Sequence, residues 1–116
     1  ATASVGCSPE HAPEGVIFAT EKLFENSEIG VEQIELFEIN ESFALIPLIF
    51  AKVFEIDAAK INVLGGNLAY GHPFGASGAI NLILLIASLK FKKLKYGLTV
   101  IPAAGGQATA VLIENI

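Results

Sequence analysis

The chain has 116 residues, 53% hydrophobic and 16% charged, which bounds it to one domain and excludes a disordered chain. A net charge of −5 with no arginine excludes the basic face of a nucleic-acid binder. The single cysteine excludes an internal disulfide. With no secretory pattern at the start, it is read as a sign of a reducing, cytoplasmic setting.

Ala1–Cys7 is small and β-compatible and reads as a strand, and the two prolines of Ser8–Glu14 mark a loop. Gly15–Asn26 sets Val16, Phe18, Ala19, Leu23 and Phe24 against Glu21, Lys22 and Glu25, the spacing of an amphipathic helix. Glu35–Ile39 reads as a short strand. Asn40-Glu41-Ser42 then carries helix-capping side chains, so a helix is expected to start there and run to about Phe54. Pro47 inside it predicts a kink or a late start. Asp57–Lys60 reads as a turn or short helix and Ile61–Leu64 as a short strand. Gly65–Gly78 holds five glycines and Pro73, too many special-backbone residues for a plain linker.

Ala76–Lys93 reads as a helix whose centre is apolar on every side except at Asn81 and Ser88, so it is expected to be buried all round. The uncharged stretch Phe74–Leu89 falls short of the roughly 20 apolar residues of a membrane span, and no membrane partner is expected. Leu98–Ile101 and Thr109–Glu114 read as strands joined by a hairpin at Gly105-Gly106. The order is βαβαβαββ. It predicts an α/β fold with a mixed five-stranded sheet, the last strand antiparallel, and helices on its faces. Mean hydropathy is +0.60 and the chain opens on Ala1 with no methionine, so it reads as a piece of something larger.

The chemistry concentrates in Asn62-Val-Leu-Gly-Gly-Asn-Leu-Ala-Tyr-Gly-His-Pro-Phe-Gly-Ala-Ser-Gly78. His72 sits between Gly71 and Pro73 before an expected helix N-terminus, where an imidazole can act as base or as oxyanion donor. Taken alone, a structural histidine in a tight turn is the better explanation. The segment, however, meets every fixed position of the thiolase signature N-x-x-G-G-x-(aliphatic)-(S/A)-x-G-H-P-x-(G/A)-x-(S/T)-G. Glu38–Ala44 resembles the family's N-E-A-F segment with Ser42 for the usual Ala. Gly105–Gln107 resembles its last hairpin. The whole chain thus resembles the C-terminal domain of a thiolase, residues 1–116, roughly the last third of such an enzyme.

The resemblance implies a half of the stacked thiolase fold, acyl transfer between coenzyme A thioesters, no further cofactor, and a dimer or tetramer. The nucleophilic cysteine lies in the N-terminal half, which is the missing partner. It implies that His72 activates that cysteine and helps to form an oxyanion hole. Asn40 would hold a water completing that hole, and both this role and a helix cap are open to it. The family's acid/base cysteine falls at Pro102, which has no titratable group. The glycine whose N–H serves a second oxyanion hole falls at Ala104. The readings are therefore a thiolase-type acyltransferase, a catalytically impaired acyl-CoA-binding relative, or a hydrolase or synthase branch.

Cys7 does not match the nucleophile and reads as a small buried residue. The lysines Lys90, Lys92, Lys93 and Lys95 read as favourable helix C-terminal charges ahead of coenzyme A contacts. His11 reads as an exposed loop residue, with no metal-ligand spacing to His72. The 116-residue chain alone is expected to show no thiolysis of acetoacetyl-CoA in a direct assay, and measurable turnover would refute this.

Overall fold

Alternation along four strands and helical spacing along three longer helices place helices on both faces of one sheet. The structure, a computed structural model, describes residues 1–116. Strand β1 (Thr2–Gly6) leads through a 3₁₀ turn at Pro9–Glu14 into α1 (Gly15–Glu25), and β2 (Leu36–Ile39) precedes α2 (Leu45–Val53). A single-turn helix α3 (Asn67–Tyr70) and a 3₁₀ turn at Phe74–Ala76 lead to α4 (Ser77–Lys92). Strands β3 (Tyr96–Ala103) and β4 (Gln107–Glu114) close the fold. The sheet order is β1-β4-β3-β2. β2 and β3 are parallel, and β4 inserts antiparallel between β3 and β1.

The sheet has four strands, not the five expected. Ile61 makes only an isolated parallel bridge to Phe37. The next residue, Asn62, turns to a φ of 49° and closes a turn onto Gly65. Its side chain takes over the strand edge, accepting from Ile39 N–H at 2.7 Å and donating to Ile39 C=O at 3.0 Å. A side-chain amide thus replaces the strand that Ile61–Leu64 was expected to form.

One face of the sheet presents Phe37, Ile39, Leu98, Val100, Ala110 and Leu112 to α1 and α2. From α1 come Val16, Ala19 and Leu23, all essentially without exposure, at the i, i+3, i+7 spacing of one face. Thr20 joins them because its hydroxyl donates to Val16 C=O at 2.8 Å. From α2 come Ile46 and Phe50, and Phe50 packs tilted on Phe37 at 5.9 Å between centroids. The helix starts late, at Leu45, so that Pro47 falls in its first turn where no N–H is needed.

The other face carries α4. Leu85 and Leu89 pack on Leu36, and a Cβ on Gly97 would lie 2.8 Å from Leu85 and 2.9 Å from Leu89, so the glycine sets how closely α4 docks. The expectation of burial all round fails. Ser77, Asn81, Leu85, Ser88 and Leu89 face the sheet, while Ile83 is 65% exposed on the opposite side. The polar residues point inward because this face of the sheet is itself polar, with Glu38 opposite Thr99 in register. The helical stretch Phe74–Lys92 does have the length and hydropathy to cross a membrane, contrary to the sequence estimate, but here it lies along the sheet.

The layer between α4 and the sheet leaves Glu38 Oε1, Asn81 Nδ2, Ser88 Oγ and Thr99 Oγ1 without partners. Burial, reinforced by the Glu41 charge, pushes the Glu38 carboxyl up to about 8 from an ordinary 4.5. The folded state therefore binds this proton more tightly than the unfolded chain. The resulting stability is fully present below about pH 4.5 and is lost as pH rises to about 8. Glu38→Gln, which keeps the neutral shape, is expected to raise stability at pH 8 by a few kcal/mol, roughly the size of such a linkage. It should also flatten the pH dependence between pH 5 and 8 in urea unfolding. An unchanged pH slope would place the proton elsewhere.

Candidate active site

Two loops leave the same end of the sheet and meet. The first follows β2, where Asn40 N–H continues the ladder by donating to Val100 C=O at 3.0 Å. The Asn40 side chain is wholly buried, and it does not cap a helix. Its Nδ2 donates to Asn67 Oδ1 at 2.9 Å, and its Oδ1 accepts the Ser42 hydroxyl at 2.6 Å. The helix expected to start here begins only at Leu45, because the capping side chains are engaged across the loop.

The second loop is Asn62–Ala76. The Glu41 carboxylate anchors its first half, accepting from Asn62 Nδ2 at 2.9 Å and from Leu68 N–H at 3.0 Å. The second of these bonds satisfies an N–H at the start of α3. Gly66 is required, because a Cβ there would collide with the Glu41 carboxylate. Asn67 is buried and acts twice more: its Oδ1 accepts from Glu41 N–H at 3.1 Å, and its Nδ2 donates to Gly71 C=O at 3.1 Å. That carbonyl belongs to the peptide that carries His72.

His72 is therefore held from both sides. Its Nδ1 lies 2.8 Å from the buried Ser77 hydroxyl and its Nε2 lies 3.4 Å from Ser42 Oγ. Phe74, at a positive φ of 37°, packs edge-on against the imidazole at 5.2 Å. The contacts close a ring that runs from His72 to Ser42, Asn40, Asn67 and back through Gly71. Burial, with Glu38 and Glu41 adding, pushes the Tyr70 phenol up, so its hydroxyl keeps its proton and donates to Asn81 Oδ1 at 3.1 Å.

The imidazole opens on a cleft of about 660 Å³. Ser42, Phe43, Ile46, Phe74, Pro102 and Ala104 are among its lining residues. The structure thus brings His72, the Pro102 position and the Ala104 position to one cavity, and joins Asn40 to it through Ser42. Pro102 pairs opposite Ala108, and the chain turns back just beyond it at Ala104-Gly105-Gly106.

Other sequence candidates lie elsewhere. Cys7 is half-buried rather than buried, with its thiol 3.1 Å from Gly106 C=O. His11 pairs with Glu14 at 3.2 Å on the surface. The lysine run begins in the last turn of α4 with Lys90 and Lys92 and continues past its end, at the far end of the helix from His72. Lys95 there pairs with Glu114 at 3.2 Å. Three partners escaped the sequence reading. Ser77 and Glu41 stand at fixed signature positions, whereas Asn67 stands at a free one and carried no signal.

A family model described as thiolase, C-terminal domain, matches residues 1–115. The chain is 41% identical over 109 residues to a probable acetyl-CoA acetyltransferase of Dictyostelium discoideum, covering 94% of this chain and 26% of that protein. It is 37% identical over 114 residues to an acetyl-CoA acetyltransferase of Escherichia coli, covering 98% and 29%. It is also 37% identical over 116 residues to the mitochondrial acetyl-CoA acetyltransferase of Rattus norvegicus, covering 100% and 27%. The chain thus spans little more than a quarter of the length of these curated relatives.

Asn67→Ala would strand the buried Asn40 Nδ2 and remove the part-buried bonds to Glu41 N–H and Gly71 C=O. The expected cost is about 1–3 kcal/mol in urea unfolding, the usual penalty for leaving such groups unpaired. A loss below the error of that measurement would show that the ring does not hold the loops together.

Proposed function

The chain belongs to the thiolase family as its C-terminal domain, and on that premise we propose that it supplies one side of the active site of a longer acyltransferase of the acetyl-CoA acetyltransferase type. The substrate class is acyl-CoA, and the reaction is acyl transfer to or from coenzyme A through Claisen or retro-Claisen chemistry. The observation that carries the reading is the convergence of His72, the Asn40–Ser42 pair and the Pro102–Ala104 hairpin on one apolar cleft.

In this reading His72 Nε2 takes the proton of a cysteine thiol supplied by the rest of the protein. Its Nδ1 stays bonded to Ser77, which fixes the plane of the ring. Once the thiolate has been acylated, Nε2–H and a donor positioned by Asn40 stabilise the thioester oxygen as it gains charge. The backbone N–H of Ala104 donates to nothing within the chain and is free to serve a second oxyanion. The reading carries with it a homodimer or homotetramer of the longer protein in the cytoplasm, with no further cofactor and no nucleic-acid or membrane partner.

Pro102 favours a second reading. Facing the same cleft as His72, it can neither give nor take a proton at the substrate α-carbon. A protein limited in this way would bind acyl-CoA, or hydrolyse it, without forming or cleaving the carbon–carbon bond.

Thiolysis of acetoacetyl-CoA by the full-length protein decides between the two, measured with Pro102 and with Pro102→Cys. Restoring the thiol is expected to raise turnover by about 10²–10⁴-fold, the usual contribution of a positioned acid/base. Rapid thiolysis with Pro102 in place would assign the proton transfer to another group. Acylation by acetyl-CoA without thiolysis would establish the second reading.

A further inference from the structure

Ser42 is the one hydroxyl that lines the cleft, and it lies 3.4 Å from His72 Nε2. We propose that Ser42 and His72 form a reactive dyad, oriented by Ser77, that accepts the acyl group of a short acyl thioester and hydrolyses it.

Three features support this beyond proximity. Both partners are held in place: Asn40 Oδ1 grips the Ser42 hydroxyl at 2.6 Å, and Ser77 Oγ lies 2.8 Å from the far ring nitrogen. Nucleophile and base are therefore neighbours, at the long distance usual before substrate binds; at rest the Ser42 proton goes to Asn40 Oδ1, and activation turns it to Nε2. The backbone N–H groups of Phe43 and Ala44, one and two residues beyond the nucleophile, donate to nothing within the chain. Donors just after a nucleophile are suited to stabilise its oxyanion. The remaining lining, with Ile46, Phe74, Ile101 and Pro102, is apolar, which suits an acyl chain and offers no competing nucleophile.

The step balances. With Nδ1–H donated to Ser77, the Ser42 hydroxyl turns from Asn40 Oδ1 to Nε2; Oγ then bonds to the thioester carbonyl carbon as the proton passes to Nε2. The tetrahedral oxyanion rests on the free N–H groups. Its collapse breaks the carbon–sulfur bond, and the leaving thiolate takes the proton from the imidazolium. Water then attacks the acyl-serine, giving one proton to Nε2. That proton returns to Ser42 Oγ as the carboxylic acid leaves.

The inference does not rest on the acyltransferase reading, because it needs no cysteine. The test treats the 116-residue chain with a fluorophosphonate, a probe of activated serines, and maps the label by mass spectrometry. In parallel, thiol release from acetyl-CoA is followed. A single label at Ser42 is expected, absent after Ser42→Ala and abolished in urea. His72→Asn should slow it by about 10²-fold, as loss of a general base does. Thiol release should follow the same pattern.

The same mapping on the full-length protein, with its thiols alkylated first, covers the case in which the second half is needed for folding. A label confined to Cys7 or lysines overturns the proposal, as does a Ser42 label indifferent to His72. So does a full-length protein that unfolds cooperatively yet takes no label at Ser42. None of these failures bears on thiolysis, which the Pro102 comparison reads separately.

Discussion

The side-chain amide of Asn67 is the junction on which the site depends. One carboxamide receives Asn40 Nδ2 and Glu41 N–H at its oxygen, and gives a proton to Gly71 C=O from its nitrogen. It thereby fixes the loop after β2, the loop before α4 and the peptide leading into His72. The bond to Asn40 is fully buried, where its loss is most costly, and the other two are part-buried. Without it, Asn40 Nδ2, Glu41 N–H and Gly71 C=O would each lose a partner, and the peptide leading into His72 would lose its tie to the first loop. Asn62 does the same work one step back, clasping both backbone groups of Ile39 so that β2 ends where the loops must meet.

Beneath the site, α4 is docked on the sheet by an unusual mixture. Leu85 and Leu89 supply apolar contact with Leu36, and Gly97 lets them come close. Further along the same face stand Glu38, Asn81, Ser88 and Thr99, each with a polar atom left without a partner. Such groups cost stability, and proteins tolerate them chiefly where specificity or function uses them. The outward side of α4 is apolar and exposed at Ile83, so the helix shows hydrocarbon to solvent and amides to its own sheet. This inversion explains the high hydropathy of the chain without requiring a large core.

The two ends of the cleft differ. Around His72, hydroxyls stand at both ring nitrogens. At Pro102 there is only hydrocarbon. The hydroxyl of Ser42 lies between Asn40 and His72, where an alanine would leave space. The cleft is thus polar at its His72 end and apolar at its Pro102 end.

Much of this was legible in the residues alone. Periodicity located α1, α4 and the closing hairpin, since one face of each element must be apolar to bury. Pro47 foretold the late start of α2, because a proline is tolerated only in a first turn. The G-H-P loop and Asn40 stood out because Asn62–Gly78 and Glu38–Ala44 resemble thiolase segments. Three things were decided by tertiary structure. Asn62 replaced the expected fifth strand with a side-chain clasp, because an amide can mimic a strand edge without continuing it. Ser77, Asn81 and Ser88 turned inward, because the partner face of the sheet carries Glu38 and Thr99, and helical periodicity cannot see what lies opposite. The ring through Asn67 joins residues 27 apart in sequence. Local spacing carries no information about such a contact, so only the folded chain could assemble it.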